Sequence, residues 1–401
     1  MPREIEISLI SILSSPGTSE RVLKEFETQF GVHVQFQKQT WNTAWSELVH
    51  YSIYKNAPDI SEVGSTWIGD LIGMNALRPF SPGEVNSLGG AQAFIPSAWN
   101  SGVGGDGQVW SIPWLIDSRL LYYRRDLLEK AGIDPAGTDH LSAAFQTHEA
   151  LAATLQGLKQ AGVETPWSVP THKTRMSLHN SASWVWGAGG RFVSQDGRRA
   201  LFSTPEALEG FRQYFELGRF LSPQARGLDD VQSDQMFWKG QVAVTLSGPW
   251  LLNDPSADPH VLANTGVTFP PGVPFIGGSS LVIWQSSQRS RDALALVRYL
   301  TSQQVQSTYL SAVGLLPARQ EAFASLSKTS NPVSGFISQG LKVGRSFPLF
   351  PLWGLVEERL SSALGIIWQQ FLSEPEIDVA ELVERDLRLL ARRLDLALNG
   401  R

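Results

Sequence analysis

Tryptophan is the residue type in this sequence with the most evident chemistry. There are 14 Trp against 7 Tyr, although a buried indole needs a partner for its ring N–H and is therefore a costly core residue. An indole face stacks well on the C–H face of a pyranose ring, whose hydroxyls pair with Asp, Asn, Ser and backbone N–H groups. Those at or near predicted loops and helix ends are Trp41, Trp67, Trp114, Trp184, Trp186, Trp250 and Trp353. The pattern predicts a carbohydrate-binding surface, and core packing stays open as the alternative for each ring.

Motifs for nucleotides, metals and nucleophilic catalysis are weak by comparison. Residues 102–107 match the glycine pattern of dinucleotide-binding loops, but a strand pattern follows where a helix is required, which favours a simple turn. His148 and Glu149 lack the second histidine of a zinc-protease helix. The sequence has no Walker-type phosphate loop and no Gly-x-Ser-x-Gly elbow. We therefore expect no cofactor, no metal and no catalytic residue.

Carboxylates leave one enzymatic alternative open. Glycoside hydrolysis needs two acids across one cleft. The acids considered for that role are Asp59, Glu62, Asp70, Asp117, Asp234 and Glu358. Nothing in their spacing makes two of them face each other, so a carbohydrate-active enzyme remains the rival hypothesis.

The opening of the chain alternates strand and helix patterns. Ile5, Ile7 and Leu9 alternate as in a strand, a helix capped near Thr18 ends at Gly31, and a second strand pattern follows. A second helix over 43–55, ended by Pro58, leads to a third strand at 60–63. This βαβαβ order predicts an α/β fold with a parallel sheet. Further along, we expect helix starts at Pro205 and Ser290 and a capping box at Asp378 and Glu381.

Length and composition indicate a well-packed protein of two lobes. The 401 residues exceed one ordinary core, and 42% are hydrophobic. The formal net charge of −5 without basic clusters argues against a nucleic-acid partner. There is no cysteine, which excludes disulfides and thiolate sites, and no apolar run reaches membrane-spanning length. The N-terminus lacks a signal-peptide pattern, so the chain is either cytoplasmic or its export signal has been removed.

Several segments, in order, resemble the extracellular solute-binding proteins, the family that includes the maltose-binding protein. The longest runs from Ile112 to Ile133 and holds a strand that crosses into the second lobe, an aromatic-ended strand and a helix capped by Asp126. The others are residues 57–60 with 64–67, 237–244 with 247–250, 277–280, 314–319 and 350–353. Each segment is short, but together they span almost the whole chain. The loop at residues 14–17 and the acid at 117 depart from the maltose relative, so the particular sugar does not carry over.

The resemblance implies a ligand site made of short polar groups and indole faces. It implies hydrogen bonds from Ser14, Ser65, Thr66 and Asp117, and stacking from Trp67, Trp184, Trp250 and Trp353. At Gly278 and Ser279 it implies that backbone N–H groups approach the ligand closely. Together with their neighbours of suitable chemistry, the candidate ligand-binding residues are Ser14, Ser15, Trp41, Ser65, Thr66, Trp67, Asp117, Arg119, Asn180, Trp184, Trp250, Gly278, Ser279, Arg319 and Trp353.

The implied architecture is a two-lobed periplasmic-binding-protein fold of type II, with lobes discontinuous in sequence and joined by hinge crossovers. We expect residues 1–112 and 275–317 in the N-terminal lobe, and residues 113–274 and 318–401 in the C-terminal lobe. A carbohydrate would bind in the cleft between the lobes, and hinge closure would present it to the membrane permease of an ABC importer. The protein would be an extracytoplasmic monomer, soluble or lipid-anchored. A two-lobe binder of a peptide, polyamine or phosphate ester is the second alternative.

Overall fold

The structure, a computed structural model, forms two compact units that are each discontinuous in sequence. It describes residues 3–10, 17–134, 143–172, 175–310, 315–327, 336–338, 340–374 and 376–399. Unit 1 comprises Met1–Asp117, Ile276–Gly335 and Ser346–Gly354, and unit 2 comprises Ser118–Phe275, Phe336–Arg345 and Leu355–Arg401.

The two units differ from the expected lobes in the stretch after residue 317. Residues 318–327 belong to unit 1, because the backbone N–H of Ile95 donates to Ala318 and Phe94 forms a β-bridge with Arg319. Residues 113–117 and 346–354 also fall in unit 1, whereas the expectation placed them in the C-terminal lobe.

Strands and helices alternate along most of the described chain. The strands are β1 Arg3–Leu9, β2 Val32–Lys38, β3 Ile60–Gly64, β4 Leu77–Arg78, β5 Ile112–Ser118, β6 Leu120–Arg124, β7 Trp167–Ser168, β8 Val244–Ser247, β9 Thr265–Thr268, β10 Ile276–Trp284 and β11 Leu316–Pro317. The helices are α1 Thr18–Phe30, α2 Trp41–Tyr54, α3 Ile68–Gly73, α4 Pro82–Ser87, α5 Pro96–Asn100, α6 Arg125–Lys130, α7 His148–Gln160, α8 Arg175–Gly187, α9 Pro205–Glu216, α10 Asp230–Trp238, α11 Pro259–Ala263, α12 Ser290–Leu300, α13 Gln303–Val305, α14 Gln320–Ser327, α15 Trp353–Ser373 and α16 Val379–Asn399.

Unit 1 is built on a seven-stranded sheet in the order β11-β5-β10-β3-β1-β2, with β4 beside β10. β1 pairs in parallel with both β2 and β3, which confirms the βαβαβ prediction. The sheet is mixed and not purely parallel, because β10 returns antiparallel to β3. Ile5 and Ile7 are fully buried, as the alternating pattern of β1 requires.

The first two helices of unit 1 end at residues with left-handed backbone conformation. α1 ends at Gly31, whose φ of 64° is left-handed, as expected for a glycine C-cap. α2 begins at Trp41 and ends at Lys55 with φ 56°, so Lys55 and not Pro58 terminates it. The glycine pattern at 102–107 forms turns in which Gly104 donates its N–H to Gln108, in agreement with the turn hypothesis.

Unit 2 carries a four-stranded sheet in the order β7-β8-β6-β9 and most of the long helices. α8 and α9 pack closely, since a Cβ added at Gly210 would lie 2.4 Å from the Cα of Val185. α9 starts with Pro205 at its first turn, as predicted. Asp378 accepts the N–H groups of Ala380 and Glu381 at the start of α16, so it caps this helix as expected.

One predicted cap is wrong. Asp126 does not cap α6; Arg124 occupies the cap position, and Asp126 lies in the first turn. The carboxylate of Asp126 accepts from Nε and Nη2 of Arg124 at 2.8 and 2.6 Å. The carboxylate thus pairs with the guanidinium inside the first turn. Burial raises the pKa of Asp126, but hydrogen bonds from Arg124 and from the Leu127 backbone lower it below its usual value. Among the described residues, none of the helices is long and apolar enough to cross a membrane.

Candidate functional site

Strands β3, β5 and β10 of unit 1 come together at the end of β3. Ser65 and Thr66 follow β3 and are partly exposed, and the Ser65 N–H donates to the carbonyl of Gly278 at 3.0 Å. Gly278 has φ 141°, and a Cβ there would lie 2.1 Å from the carbonyl oxygen of Leu115 on β5. Gly278 thus allows the close approach of the protein's own β5, and the predicted approach of a ligand at Gly278 stays a prediction.

Ser279 has a structural role in the same edge. Its side chain is buried, and its hydroxyl donates to Oε1 of Glu62 at 2.5 Å. The backbone N–H of Ile10 donates to the other oxygen of Glu62 at 2.8 Å. The hydroxyl of Ser279 therefore has its partner in the core, and the expected approach of a ligand to the backbone at Ser279 stays a prediction.

Glu62 is a residue that the sequence reasoning considered only as a possible catalytic acid. It is fully buried in β3 and ties the end of β1 to β10. The available signal was a carboxylate within a short strand between Ile60 and Val63, because a buried charge requires partners. Glu62 shapes the edge on which Ser65 lies, and does so through backbone and hydroxyl contacts.

The tryptophans of unit 1 separate by exposure. Trp41 is 46% exposed, whereas Trp67 is 2% exposed and belongs to the core cluster with Leu48 and Leu71. The two ring centroids are 5.4 Å apart, and Trp45 lies 5.7 Å from Trp67 on the same cluster. This corrects the stacking role expected of Trp67: its ring supports the exposed indole of Trp41.

Trp353 is also a core residue. It is fully buried, stacked on Phe347 at 4.6 Å and edge-on to Phe350 at 5.9 Å. Next to it, the N–H of Gly354 donates to Oδ2 of Asp70 at 2.8 Å. Aromatic packing accounts for Trp353, which corrects its predicted role as a stacking surface.

Arg319 is committed to the backbone of unit 1. Its Nη1 lies 3.2 Å from the carbonyl oxygens of both Leu88 and Thr301, and its guanidinium lies over the ring of Phe94 at 5.4 Å. This corrects the prediction that Arg319 binds ligand, because its donors join two helix ends. Asp117 is the last residue in the first stretch of unit 1 and is partly exposed, one residue before the end of β5.

Unit 2 holds a partly exposed indole with polar support. Trp250, in the turn after β8, donates its Nε1–H to Oδ2 of Asp234 at 3.0 Å. The guanidinium carbon of Arg119 lies over the Trp250 ring, 4.8 Å from its centroid. Arg119 is itself buried, with Nη1 3.2 Å from the sulfur of Met176. The predicted site residues Arg119 and Trp250 therefore contact each other. Asp234, which was considered only as a possible catalytic acid, contacts Trp250 as well.

Burial raises the pKa of Asp234 to about 6, the largest influence on this carboxyl group. Hydrogen bonds from Ser247 and Trp250 and the charge of Arg119 lower the pKa, and the charge of Asp230 raises it. Asp234 consequently changes charge near pH 6.

Asn180 and Trp184 lie inside unit 2. They are 1% exposed each, and Trp184 packs on Tyr214 with ring centroids 5.3 Å apart. Asn180 lies beside the hydroxyl of Tyr214, whose pKa is raised by burial. This corrects the ligand-binding roles predicted for both residues, since α9 covers them. Ser14 and Ser15 lie outside the described residues.

Four of the six acids considered for hydrolysis, Asp59, Glu62, Asp70 and Asp234, have structural partners. Asp59 accepts the N–H of Glu6 at 3.0 Å and pairs with Arg289 at 3.2 Å. Glu62 and Asp234 have the partners given above. In the part of the chain that the structure describes, no group of three or more His, Cys, Asp or Glu residues could hold a metal ion.

Comparison with known proteins decides the family. Residues 21–333 match the family described as "Bacterial extracellular solute-binding protein". The chain belongs to this family. A member called diacetylchitobiose binding protein DasA, from Streptomyces coelicolor, is 21% identical over 92% of this chain and 86% of its own length. The maltodextrin-binding protein MdxE of Bacillus subtilis is 23% identical over 74% of this chain and 69% of its own.

Solved structures of solute-binding proteins show the same fold. An ABC transporter solute-binding protein from Thermotoga lettingae, bound with alpha-D-tagatose, superposes with a TM-score of 0.83 at 23% identity, over 99% of this chain and 100% of that chain. The expected two-lobed periplasmic-binding-protein fold of type II is therefore confirmed. The family consists of binding proteins and not of enzymes.

Proposed function

We propose that this solute-binding protein binds a mono- or oligosaccharide and delivers it to the membrane permease of an ABC importer. The observation that carries the proposal is the Trp250 indole, partly exposed and held by Asp234 and Arg119 beside the end of β8. An aromatic face with charged groups at its rim is what a sugar ring requires. Relatives named for diacetylchitobiose and maltodextrin support a carbohydrate as the ligand class.

Unit 1 offers the matching chemistry on its own surface. Trp41 exposes nearly half of its side chain, and Ser65, Thr66 and Asp117 are partly exposed at strand ends. Short hydroxyls and a carboxylate are suited to the rim of a sugar. We propose that Trp41, Asp117 and Trp250 all contribute to the affinity for one ligand. Hinge closure and the monomeric, extracytoplasmic state belong to the same proposal.

Tryptophan fluorescence during titration tests the proposal. The titrants are D-tagatose, maltotriose and N,N′-diacetylchitobiose, with sn-glycerol 3-phosphate as the phosphate-ester arm. We expect a saturable change with at least one sugar, and a binding loss of about tenfold or more in Asp117→Asn and Trp250→Ala. Saturation by the phosphate ester alone, or normal binding by both variants, would contradict the proposal. Turnover of aryl glycosides would favour the enzymatic rival.

A further inference from the structure

Trp250 is held in unit 2 by contacts from several elements at once. Its indole N–H reaches Oδ2 of Asp234 at 3.0 Å, and Asp234 lies on α10, so the bond joins this helix to the turn after β8. The Trp250 side chain has two rotatable bonds, and an indole without these contacts would sample several rotamers. The hydrogen bond selects one of them.

Arg119 and Gly248 also restrict the position of the Trp250 ring. Arg119 approaches the ring at 4.8 Å from its buried position after β5. Gly248 lies so close that an added Cβ would be 2.1 Å from the ring, and the carbonyl of Gly248 accepts the hydroxyl of Tyr122 at 2.9 Å. Only glycine at 248 allows the indole its observed place. The ring is therefore seated against fixed atoms and not packed loosely.

Asp234 is the polar end of this seat and is 7% exposed. Burying a carboxylate costs free energy unless partners compensate, and a hydrophobic residue would have filled the position at lower cost. The groups that face Asp234 are Ser247 and Trp250 from the segment at β8, Arg119, and Asp230 from its own helix. Among the described aromatic side chains, the indole of Trp250 donates a hydrogen bond to the carboxylate of Asp234.

We propose that Asp234 is a positioning residue that fixes the Trp250 indole in the orientation that stacks on a sugar ring. The inference rests on the proposed function, and it adds a residue that does not itself need to touch the ligand. Asp234 acts through the indole N–H. Its effect on affinity should therefore disappear when the side chain at position 250 has no N–H to donate.

Protonation of Asp234 supplies an independent readout. The carboxyl group has a pKa of about 6, raised mainly by burial. Above that pH the carboxylate is a strong acceptor for the indole N–H, and below it the neutral acid is a weaker one. The Trp250 indole should therefore loosen as the pH falls through 6.

The first experiment uses the protein without ligand. Indole ¹⁵N–¹H resonances are recorded from pH 8 to 5, and Trp250→Phe assigns the Trp250 signal. We expect this signal to move with a midpoint near pH 6, and to lose the step in Asp234→Asn. Asp230→Asn is the matched control on α10, in which the step should persist. A Trp250 signal that ignores both pH and Asp234→Asn would overturn the proposal.

The second experiment is a double-mutant cycle on sugar affinity, with maltotriose, N,N′-diacetylchitobiose or D-tagatose as the probe, whichever wild type binds. Asp234→Asn, which keeps size and one acceptor oxygen, should weaken binding about threefold to tenfold. In a Trp250→Phe background the same change should have almost no effect, because the phenyl ring has no N–H.

The outcomes separate the two claims. Equal losses from Asp234→Asn in both backgrounds, or no loss in wild type, would overturn the positioning role while sugar binding stands. A folded wild-type protein that binds none of the three probes but shows the pH step would count against the proposed function and leave the seat of Trp250 intact.

Discussion

At the residue scale, indoles in this protein differ by what surrounds them and not by their sequence neighbours. Trp41 and Trp67 touch each other, yet one is 46% exposed and the other 2%. Trp250 has a carboxylate partner in Asp234 for its N–H, whereas Trp284 donates to the buried hydroxyl of Ser61. A ring that is suited to a ligand is partly exposed and has its N–H held by a hydrogen bond, whereas a ring that fills a core is buried.

The pair Trp41 and Trp67 gives a prediction with its own control. Trp41→Ala should weaken sugar binding about threefold to tenfold, the worth of one aromatic contact, and should change the free energy of unfolding by less than about 1 kcal/mol. Trp67→Ala should lower the free energy of unfolding by about 3–5 kcal/mol, because it opens a cavity in the core of unit 1. Calorimetric titration and urea unfolding measure the two effects. Full affinity in Trp41→Ala would remove Trp41 from the site.

The sequence could name candidate residues but could not sort them. All the candidate tryptophans met the same criteria of residue type and predicted loop position. Trp184 is buried against Tyr214 of α9, whereas Trp353 packs on Phe347 and Phe350 just before it in the chain. Arg319 looked like an available cation, but its partners Leu88 and Thr301 come from elements that only the fold brings near. Asp234 lacked any local signal for its contact with Trp250.

At the element scale, local rules placed most boundaries correctly. Alternation fixed β1, and glycine at position 31 marked the end of α1. The helix cap at Asp378 also followed from spacing alone. Asp126 failed as a cap because the helix already begins at Arg125, which puts Asp126 in the first turn, where its carboxylate pairs with Arg124.

Glu27 links α1 to β2 and predicts a pH dependence of stability. Hydrogen bonds from Lys24 and then from the Val34 N–H lower the pKa of Glu27 from 4.5 to about 2. Because the folded pKa is depressed, this stabilisation is fully present above about pH 4.5 and is lost as the pH falls towards 2. Urea midpoints between pH 7 and 2.5 should therefore fall less steeply in Glu27→Gln than in wild type. Parallel curves would contradict the assignment.

Gly278 gives a prediction about the meeting of β10 and β5. Gly278→Ala should lower the free energy of unfolding by about 3 kcal/mol or more, because it combines an unfavourable φ with a contact 2.1 Å from the Leu115 carbonyl. Gly83→Ala is the control, since its added Cβ would meet nothing within 4 Å. Urea unfolding monitored by circular dichroism measures both. Equal stability of the two variants would contradict the prediction, because β5 and β10 would then move apart at Gly278 without a loss of stability.

At the scale of the whole molecule, each unit is assembled from three stretches of chain. The order of the resembling segments predicted two discontinuous lobes and the fold class, because each segment has its place in a known architecture. The exact allocation after residue 317 depended on contacts such as that of Ile95 with Ala318. Such long-range backbone pairing leaves no periodic trace in the sequence.

The two units divide the proposed binding chemistry between them. Trp41 and Asp117 belong to unit 1, and Arg119 and Trp250 belong to unit 2. A protein that used only one unit for its ligand would lose affinity on substitution of only one of these sets. Substitutions in both sets should weaken binding of the same sugar if the account is correct.

Isothermal titration of the folded wild-type protein with a panel of mono-, di- and trisaccharides at neutral pH tests the central claim most directly. The account predicts one-to-one binding of at least one sugar, weakened by Trp41→Ala and by Trp250→Ala in separate titrations. Absence of heat with every sugar in the panel, from protein shown to be folded by circular dichroism, would contradict it.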